Sequence, residues 1–376
     1  MRRFGFAYYR HNPRQFLLLF LPVLLCVLLL FLIQTVIASS FSLEYRAFVE
    51  TRKAYTSIQA RSRPIDGEMI EAIRQFEHTD RIAPCVLQFT EIASPISQVG
   101  VRIYLLGAQD LISLMSDMDL SLAAGRLPEP ERAEIVLHEL VAANKGLSIG
   151  DSIGFDLDPA ERLLGQYTVV GLLRGQALCG FAPIEHWQTQ NQISQPQEYG
   201  ILVFPIAGHL QDLNRFITYL PATGAEISSY EISRTIHEEA SGKVYLLLNT
   251  IFLAVLLINS LCVGFLTYLF YLGRARELAL LQVIGYNRGA VLRHNLLDVL
   301  MINLAATLLA TGLALLIIAV LNQAVFQAAG MPLTVGGQQA WLILLCIPLA
   351  AMIAEILAVN SVFRHLDLVG LLDQDS

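Results

Sequence analysis

Long apolar runs, uncharged except for Glu355 in the last, alternate in this chain with stretches where apolar and polar positions are mixed. Four runs, at residues 16–38, 244–272, 299–321 and 340–363, exceed the roughly 20 residues that a helix needs to cross about 30 Å of hydrocarbon. They predict four membrane-spanning helices. The segment between the first two spans, residues 39–243, follows a different pattern. Its ends, 42–58 and 231–243, carry good helix formers and predict paired stalk helices. Asp66 can cap a helix over 67–77, where Met69, Ile70, Ile73 and Phe76 hold helical spacing. Strand-like runs follow at 86–92 and 99–106, then a helical stretch at 109–115, a turn-rich 125–131 and a helix over 133–145. Gly146 to Gly150 turn the chain into a strand at 152–157. A β-branched strand at 167–173 precedes strand, helix and strand at 199–205, 209–219 and 225–230. This interleaving predicts an α+β domain, bilobed because its length exceeds the usual single-domain mode of about 100–150 residues.

Composition agrees with a membrane protein: 55% of the 376 residues are hydrophobic, 15% are charged, and mean hydropathy is +0.54. Arg2, Arg3, Arg10 and Arg14 precede the first run, and Ala38-Ser39-Ser40 resembles a cleavage site. The run is nevertheless longer than the apolar core of a signal peptide, roughly 7–15 residues, and reads as a retained anchor. Arg274, Arg276, Arg288 and Arg293 lie between the second and third runs, and Arg364 follows the fourth. The positive-inside rule therefore makes residues 1–15, 273–298 and 364–376 cytoplasmic, and 39–243 and the uncharged short loop 322–339 external. Residues 39–243 hold 16 Lys+Arg against 26 Asp+Glu. The acidic balance of the chain thus belongs to the outer domain and carries no message about nucleic acid.

Several chemistries are excluded. No Gly-x-x-x-x-Gly-Lys-Ser/Thr phosphate loop occurs, so the chain cannot itself be an ATPase. His138-Glu139 lacks the second histidine of a metalloprotease helix, and no nucleophile elbow is present. The reading is of a non-catalytic chain with no metal-binding or cofactor-binding residues. Cys85 and Cys179, in the outer domain, can pair or stay free; Cys26, Cys262 and Cys346 lie in apolar runs. Asp298 and Glu355 are intramembrane acidic candidates. Such carboxylates are functional suspects, although an interfacial Asp298 and a Glu355 facing the bundle or snorkelling towards Arg364 and His365 are the plainer account.

The stretch Gly273-Arg274-Ala275-Arg276-Glu277-Leu278-Ala279-Leu280-Leu281-Gln282-Val283-Ile284-Gly285-Tyr286-Asn287-Arg288 reads as a short amphipathic helix with Leu278, Leu281 and Ile284 on one face. It resembles the segment between the second and third spans of the FtsX/MacB/LolCE-type permeases, membrane subunits of mechanotransmitting ABC transporters. Other segments agree in the same order: Gly125-Arg126-Leu127-Pro128, Glu134-Ile135-Val136-Leu137, Gly146-Leu147-Ser148-Ile149-Gly150-Asp151 and Tyr167-Thr168-Val169-Val170-Gly171. The terminal Phe363-Arg364-His365-Leu366-Asp367-Leu368-Val369 is similar too, with Leu368 in place of the family's proline and Asp373 in place of its final arginine.

The resemblance implies a MacB-like periplasmic core domain inserted between the first two of four spans, in a multi-pass protein of the bacterial inner membrane with both termini cytoplasmic. Residues 274–287 become an ATPase-coupling helix, with Arg274, Arg276, Glu277, Leu278, Leu281, Ile284, Gly285, Tyr286 and Asn287 as its docking residues. The implied partners are an ABC nucleotide-binding subunit that holds ATP and Mg, a second permease copy or paralogue, and a membrane-fusion adaptor or other extracytoplasmic protein. Export of a peptide, drug or lipid-type substrate ranks first, because hydrolase-activating relatives usually carry a smaller outer domain. FtsX-like control of a cell-wall hydrolase, LolCE-like lipoprotein extraction and a membrane-anchored sensor without an ATPase are the alternatives.

Overall fold

A computed structural model describes residues 13–61, 63–220, 224–274, 280, 284, 288–335 and 338–365. The chain divides into two compact units: an α+β unit of Ile37–Lys243 with Asn322–Leu333, and a membrane unit made of the remainder. Among the described residues, four helices are long and apolar enough to cross a membrane. They are α1 (Pro13–Phe48), α7 (Tyr230–Gly273), α8 (Arg288–Leu321) and α9 (Gln338–His365). Between α1 and α7 lie β1 (Thr56–Ala60), α2 (Gly67–Arg74), β2 (Thr79–Pro84), β3 (Val86–Ala93), β4 (Gln98–Leu106), α3 (Ala108–Asp117), β5 (Ser121–Gly125), β6 (Glu134–His138) and α4 (Glu139–Lys145). They continue with β7 (Ser152–Ile153), β8 (Tyr167–Arg174), β9 (Cys179–Pro183), α5 (Ile184–Asn191), β10 (Gly200–Pro205), α6 (Leu210–Tyr219) and β11 (Ala225–Ser228). The result is a membrane protein with a large α+β unit, the class expected from the sequence.

The α+β unit holds two sheets. The small one is antiparallel, in the order β11-β1-β10-β2; the large one is mixed, β3-β4-β9-β6-β8-β5, with β7 paired to β8. Side-chain alternation along each strand divides the core. On β4, Ile103 and Leu105 face one cluster with Leu43 and Ala47 of α1, Val141 of α4 and Trp187 of α5. Their neighbours Tyr104 and Leu106 face a second cluster with α3 and with Leu202 and Phe204 of the small sheet. Ile58, Ile201 and Val203, on the far face of that sheet, pack against α2 and α6. The two lobes therefore share the middle cluster. Cys85 and Cys179 lie within it, both free, and burial pushes both thiols well above their usual range.

Several boundaries differ from the sequence reading. The helix expected over 133–145 begins only at Glu139: residues 134–138 form the fully buried strand β6 inside the large sheet. An apolar β-branched run covered on both faces has no alternation to distinguish it from a helix. The stalk helix expected over 42–58 ends at Phe48, followed by a short 3-10 turn. Residues 56–60 are instead the strand β1, held between β10 and β11. Turn-rich 125–131 is preceded by β5, the strand expected at 152–157 shrinks to two residues, and β2, β9 and α5 had no counterpart in the reading. By contrast, Asp66 caps α2, accepting from the Glu68 backbone N–H at 3.1 Å. Helix α8 starts at Arg288, within the stretch read as the 273–298 loop, and residues 322–333 pack as part of the α+β unit.

In the membrane unit, Leu19, Val23, Val27 and Leu30 of α1 face a core shared with Val263 of α7, Ala306 and Ala310 of α8 and Ala351 of α9. Leu18, Leu21, Leu25 and Leu29 point outward, as lipid-facing residues do. Small residues let the helices approach closely. A Cβ added at Gly264 would lie 3.2 Å from the Cβ of Ala354.

Candidate functional site

The α+β unit anchors the last turns of α1 with three arginines. Arg46 donates to the carbonyls of Gln176 (2.8 Å) and Gly175 (2.9 Å), which join β8 to β9. Arg102, on β4, donates to the Ala47 carbonyl at 2.8 Å and to Thr51 Oγ1 at 3.3 Å. Arg52 donates to Ser233 Oγ on α7. The guanidinium groups of Arg52 and Arg102 lie 4.6 and 4.7 Å from the centroid of the Phe48 ring, an arrangement in which the π cloud offsets the proximity of two cations. Burial, then the positive charge of Arg102, lowers the pKa of Arg52 to about 10. Beside them the hydroxyls of Tyr55 and Tyr104 share a hydrogen bond of 2.5 Å, and burial raises both phenols. Buried charges fixed by carbonyls and by one another's packing make a rigid attachment: within this unit α1, α7 and the large sheet are tied together.

His138 closes the same region. Its Nδ1 accepts from the Leu140 N–H and caps α4, while Nε2 meets the Gly175 carbonyl at 3.1 Å, so the ring is a neutral Nε2–H tautomer. Burial, above all other causes, lowers its pKa to about 4. A proton-transfer role near neutral pH does not fit such a group.

In the membrane unit Glu355 of α9 is 1% exposed, and Asn303 Nδ2 of α8 donates to its Oε2 at 3.0 Å. The other acidic candidate, Asp298, is half-buried on α8. Of the residues expected to dock an ATPase, Arg274 follows the end of α7 with its guanidinium 5.6 Å from the Phe270 ring centroid. Ile284 is 73% exposed, and its N–H donates to the Leu280 carbonyl at 3.1 Å, one helical turn. Arg276, Glu277, Leu278, Leu281, Gly285, Tyr286 and Asn287 lie outside the described residues. The sequence reading missed Arg46, Arg52, Arg102 and Asn303. For Arg102 a signal existed: one cation inside the apolar strand run Val101-Arg102-Ile103-Tyr104 needs buried partners.

Residues 249–366 match the family model of the FtsX-like permease C-terminal domain. No curated protein matches the chain. Among solved structures, the periplasmic region of MacB from Actinobacillus actinomycetemcomitans is similar at 14% identity and a TM-score of 0.31, covering 51% of this chain and 95% of that one. The extracellular domain of the noncanonic ABC-type transporter YknZ from Gram-positive bacteria is similar at 10% identity and a TM-score of 0.30, with coverages of 46% and 100%. A domain of a putative permease protein from Porphyromonas gingivalis is similar at 12% identity and a TM-score of 0.26, with coverages of 48% and 90%.

Proposed function

We propose that the chain is the non-catalytic permease subunit of an ABC transporter, a reading supported by the match of residues 249–366 to the FtsX-like permease C-terminal model. A separate nucleotide-binding subunit, holding ATP and Mg, docks on residues 274–287 at the cytoplasmic face. The family match is the observation that carries this reading. It is supported by the absence of a phosphate loop in the chain and by the exposure of Ile284. Leu278, Leu281 and Ile284 supply the apolar anchors and Arg274, Arg276 and Glu277 the polar rim, with Gly285, Tyr286 and Asn287 ending the element.

Force from nucleotide-driven closure needs rigid carriers. Helix α7 is unbroken from Tyr230 to Gly273, and α1 from Pro13 to Phe48. Arg52 and Arg102 join their ends to the large sheet, so movement of the helices reaches the α+β unit. The finer reading is export of a peptide, drug or lipid-type substrate by a dimer of two permease chains in the bacterial inner membrane, its termini cytoplasmic, working with an extracytoplasmic adaptor. Leu281→Asp with Ile284→Asp is expected to leave membrane insertion intact while the nucleotide-binding subunit no longer co-purifies. Co-purification at wild-type yield overturns the docking. Labelling of Gly285→Cys by a membrane-impermeant thiol reagent added outside intact cells overturns the topology.

A further inference from the structure

Two histidines far apart in sequence meet at one corner of the small-sheet lobe. His78 immediately precedes β2, and its carbonyl accepts from the Ile206 N–H at 2.9 Å; the Ile206 carbonyl accepts from the His209 N–H at 3.0 Å. This backbone frame holds the imidazoles stacked, with centroids 4.1 Å apart and planes 10° from parallel. Phe76 stands edge-on to His78 at 5.3 Å and is itself stacked on Phe216 of α6 at 4.1 Å, so the first ring is backed by a wall. Asp212 stands one turn into α6, its Oδ2 3.0 Å from His209 Nδ1. One ligand atom from each of His78, His209 and Asp212 lies within 4.8 Å of the other two.

We propose that His78, His209 and Asp212 form a site for a borderline divalent transition-metal ion, of which Zn2+ is the type. Two imidazole nitrogens and one carboxylate oxygen are the donors such ions favour, and three protein ligands leave positions for water or an added donor. The side chains keep 26% (His78), 43% (His209) and 47% (Asp212) exposure, so water reaches the site and the ligands can turn. Turning is required: atoms on one tetrahedral zinc ion stand about 3.3 Å apart at Zn–N distances of about 2.0–2.1 Å, closer than the present spread. Glu77, with Oε1 3.6 Å from His78 Nε2, stands ready as a fourth ligand. Asp212 is already a carboxylate, held below its usual range first by the hydrogen bond from His209, then by His78, His209 and Arg215. An ion on His209 Nδ1 takes the place of the contact with Asp212, and the neutral ring then carries its N–H at Nε2. Bound metal would tie the turn before β2 to the start of α6.

The test uses the full chain in detergent or nanodiscs, purified without a polyhistidine tag and stripped with chelator. Zn2+ is followed by calorimetry, and Co2+ by its visible absorption. One equivalent is expected, with a raised melting temperature and at least a tenfold loss of affinity in His209→Gln and in Asp212→Asn. Because all three side chains are part-exposed, these variants should melt like the wild type without metal. Absence of saturable Zn2+ binding in the wild type, or unchanged binding in the His78→Gln/His209→Gln variant, overturns the site and leaves a stacked imidazole pair.

Discussion

Asn144 donates its side-chain amide to the Ala329 carbonyl at 2.8 Å, joining α4 to the segment between the third and fourth apolar helices. The same side chain pairs with both backbone groups of Ala93 at the end of β3, accepting at 2.8 Å and donating at 2.9 Å. Gly330 follows at φ +62°, and a Cβ there would collide with the Leu140 carbonyl and come within 2.8 Å of the Asn144 N atom. Met331 packs on the core beneath the large sheet, and Leu333 exchanges backbone bonds with the Asn322 side chain. Residues 322–333 are thus a folded edge of the α+β unit.

Asn144→Ala leaves the Ala93 and Ala329 groups unpaired and is expected to destabilise the α+β unit by about 1–3 kcal/mol. Gly330→Val clashes and also strains the left-handed backbone. Hydrogen exchange should rise across 322–333 in both variants; unchanged protection in Gly330→Val would remove the docking.

His138 gives a pH dependence of known sign. Its folded pKa of about 4 lies below the ordinary 6.5, so the unfolded chain binds the proton more readily between those values. Stability is full above about pH 6.5 and is lost as pH falls towards 4. Between pH 7 and pH 5 the loss is about 2 kcal/mol. Urea unfolding of wild type and His138→Gln at both pH values checks this: the variant should lose that much less.

Glu355 and Asn303 make a buried polar contact between α8 and α9, and among the described residues Asn303 Oδ1 is buried without a partner. Glu355→Gln keeps a neutral acceptor for Asn303 Nδ2 and adds a donor for Oδ1, so detergent melting should match or exceed wild type. Asn303→Leu removes this bond to a buried acid and should lower it, at a cost of about 1–3 kcal/mol. The reverse order would exclude a structural role for the pair and point to an ionised Glu355 in use.

A proline at Ile236 interrupts α7 between its Ser233 bond to Arg52 and its apolar segment, and costs about 3 kcal/mol or more where a helix is regular. Phe48→Pro removes the ring between two guanidinium groups. If these helices carry force, either variant assembles with its ATPase yet loses the outer activity while hydrolysis continues. Unchanged transport or signalling in Ile236→Pro removes the rigid-carrier account.

Local pattern was enough to read some elements. Residues 86–92 and 99–106 read as strand-like runs, and β3 and β4 pair there as an antiparallel hairpin. Asp66 before Met69, Ile70 and Ile73 spelled out a capped helix. Where burial was two-sided, as at Ile135-Val136-Leu137, pattern could not separate strand from helix. Residues 274–287, proposed to dock a nucleotide-binding subunit, read in the sequence as an amphipathic run, and what such a run touches is not a property of the run.

By itself, then, the sequence determined the solvent of each segment: transfer of some twenty apolar side chains outweighs any local preference, so the four spans follow from composition alone. Tertiary structure decided which distant groups share a site. Arg102 meets Ala47, Asn303 meets Glu355, Asn144 meets Ala329 and His78 meets His209 because β-sheet pairing and helix packing bring separated residues together. One chain's periodicity records which face is buried, and not what the face is buried against.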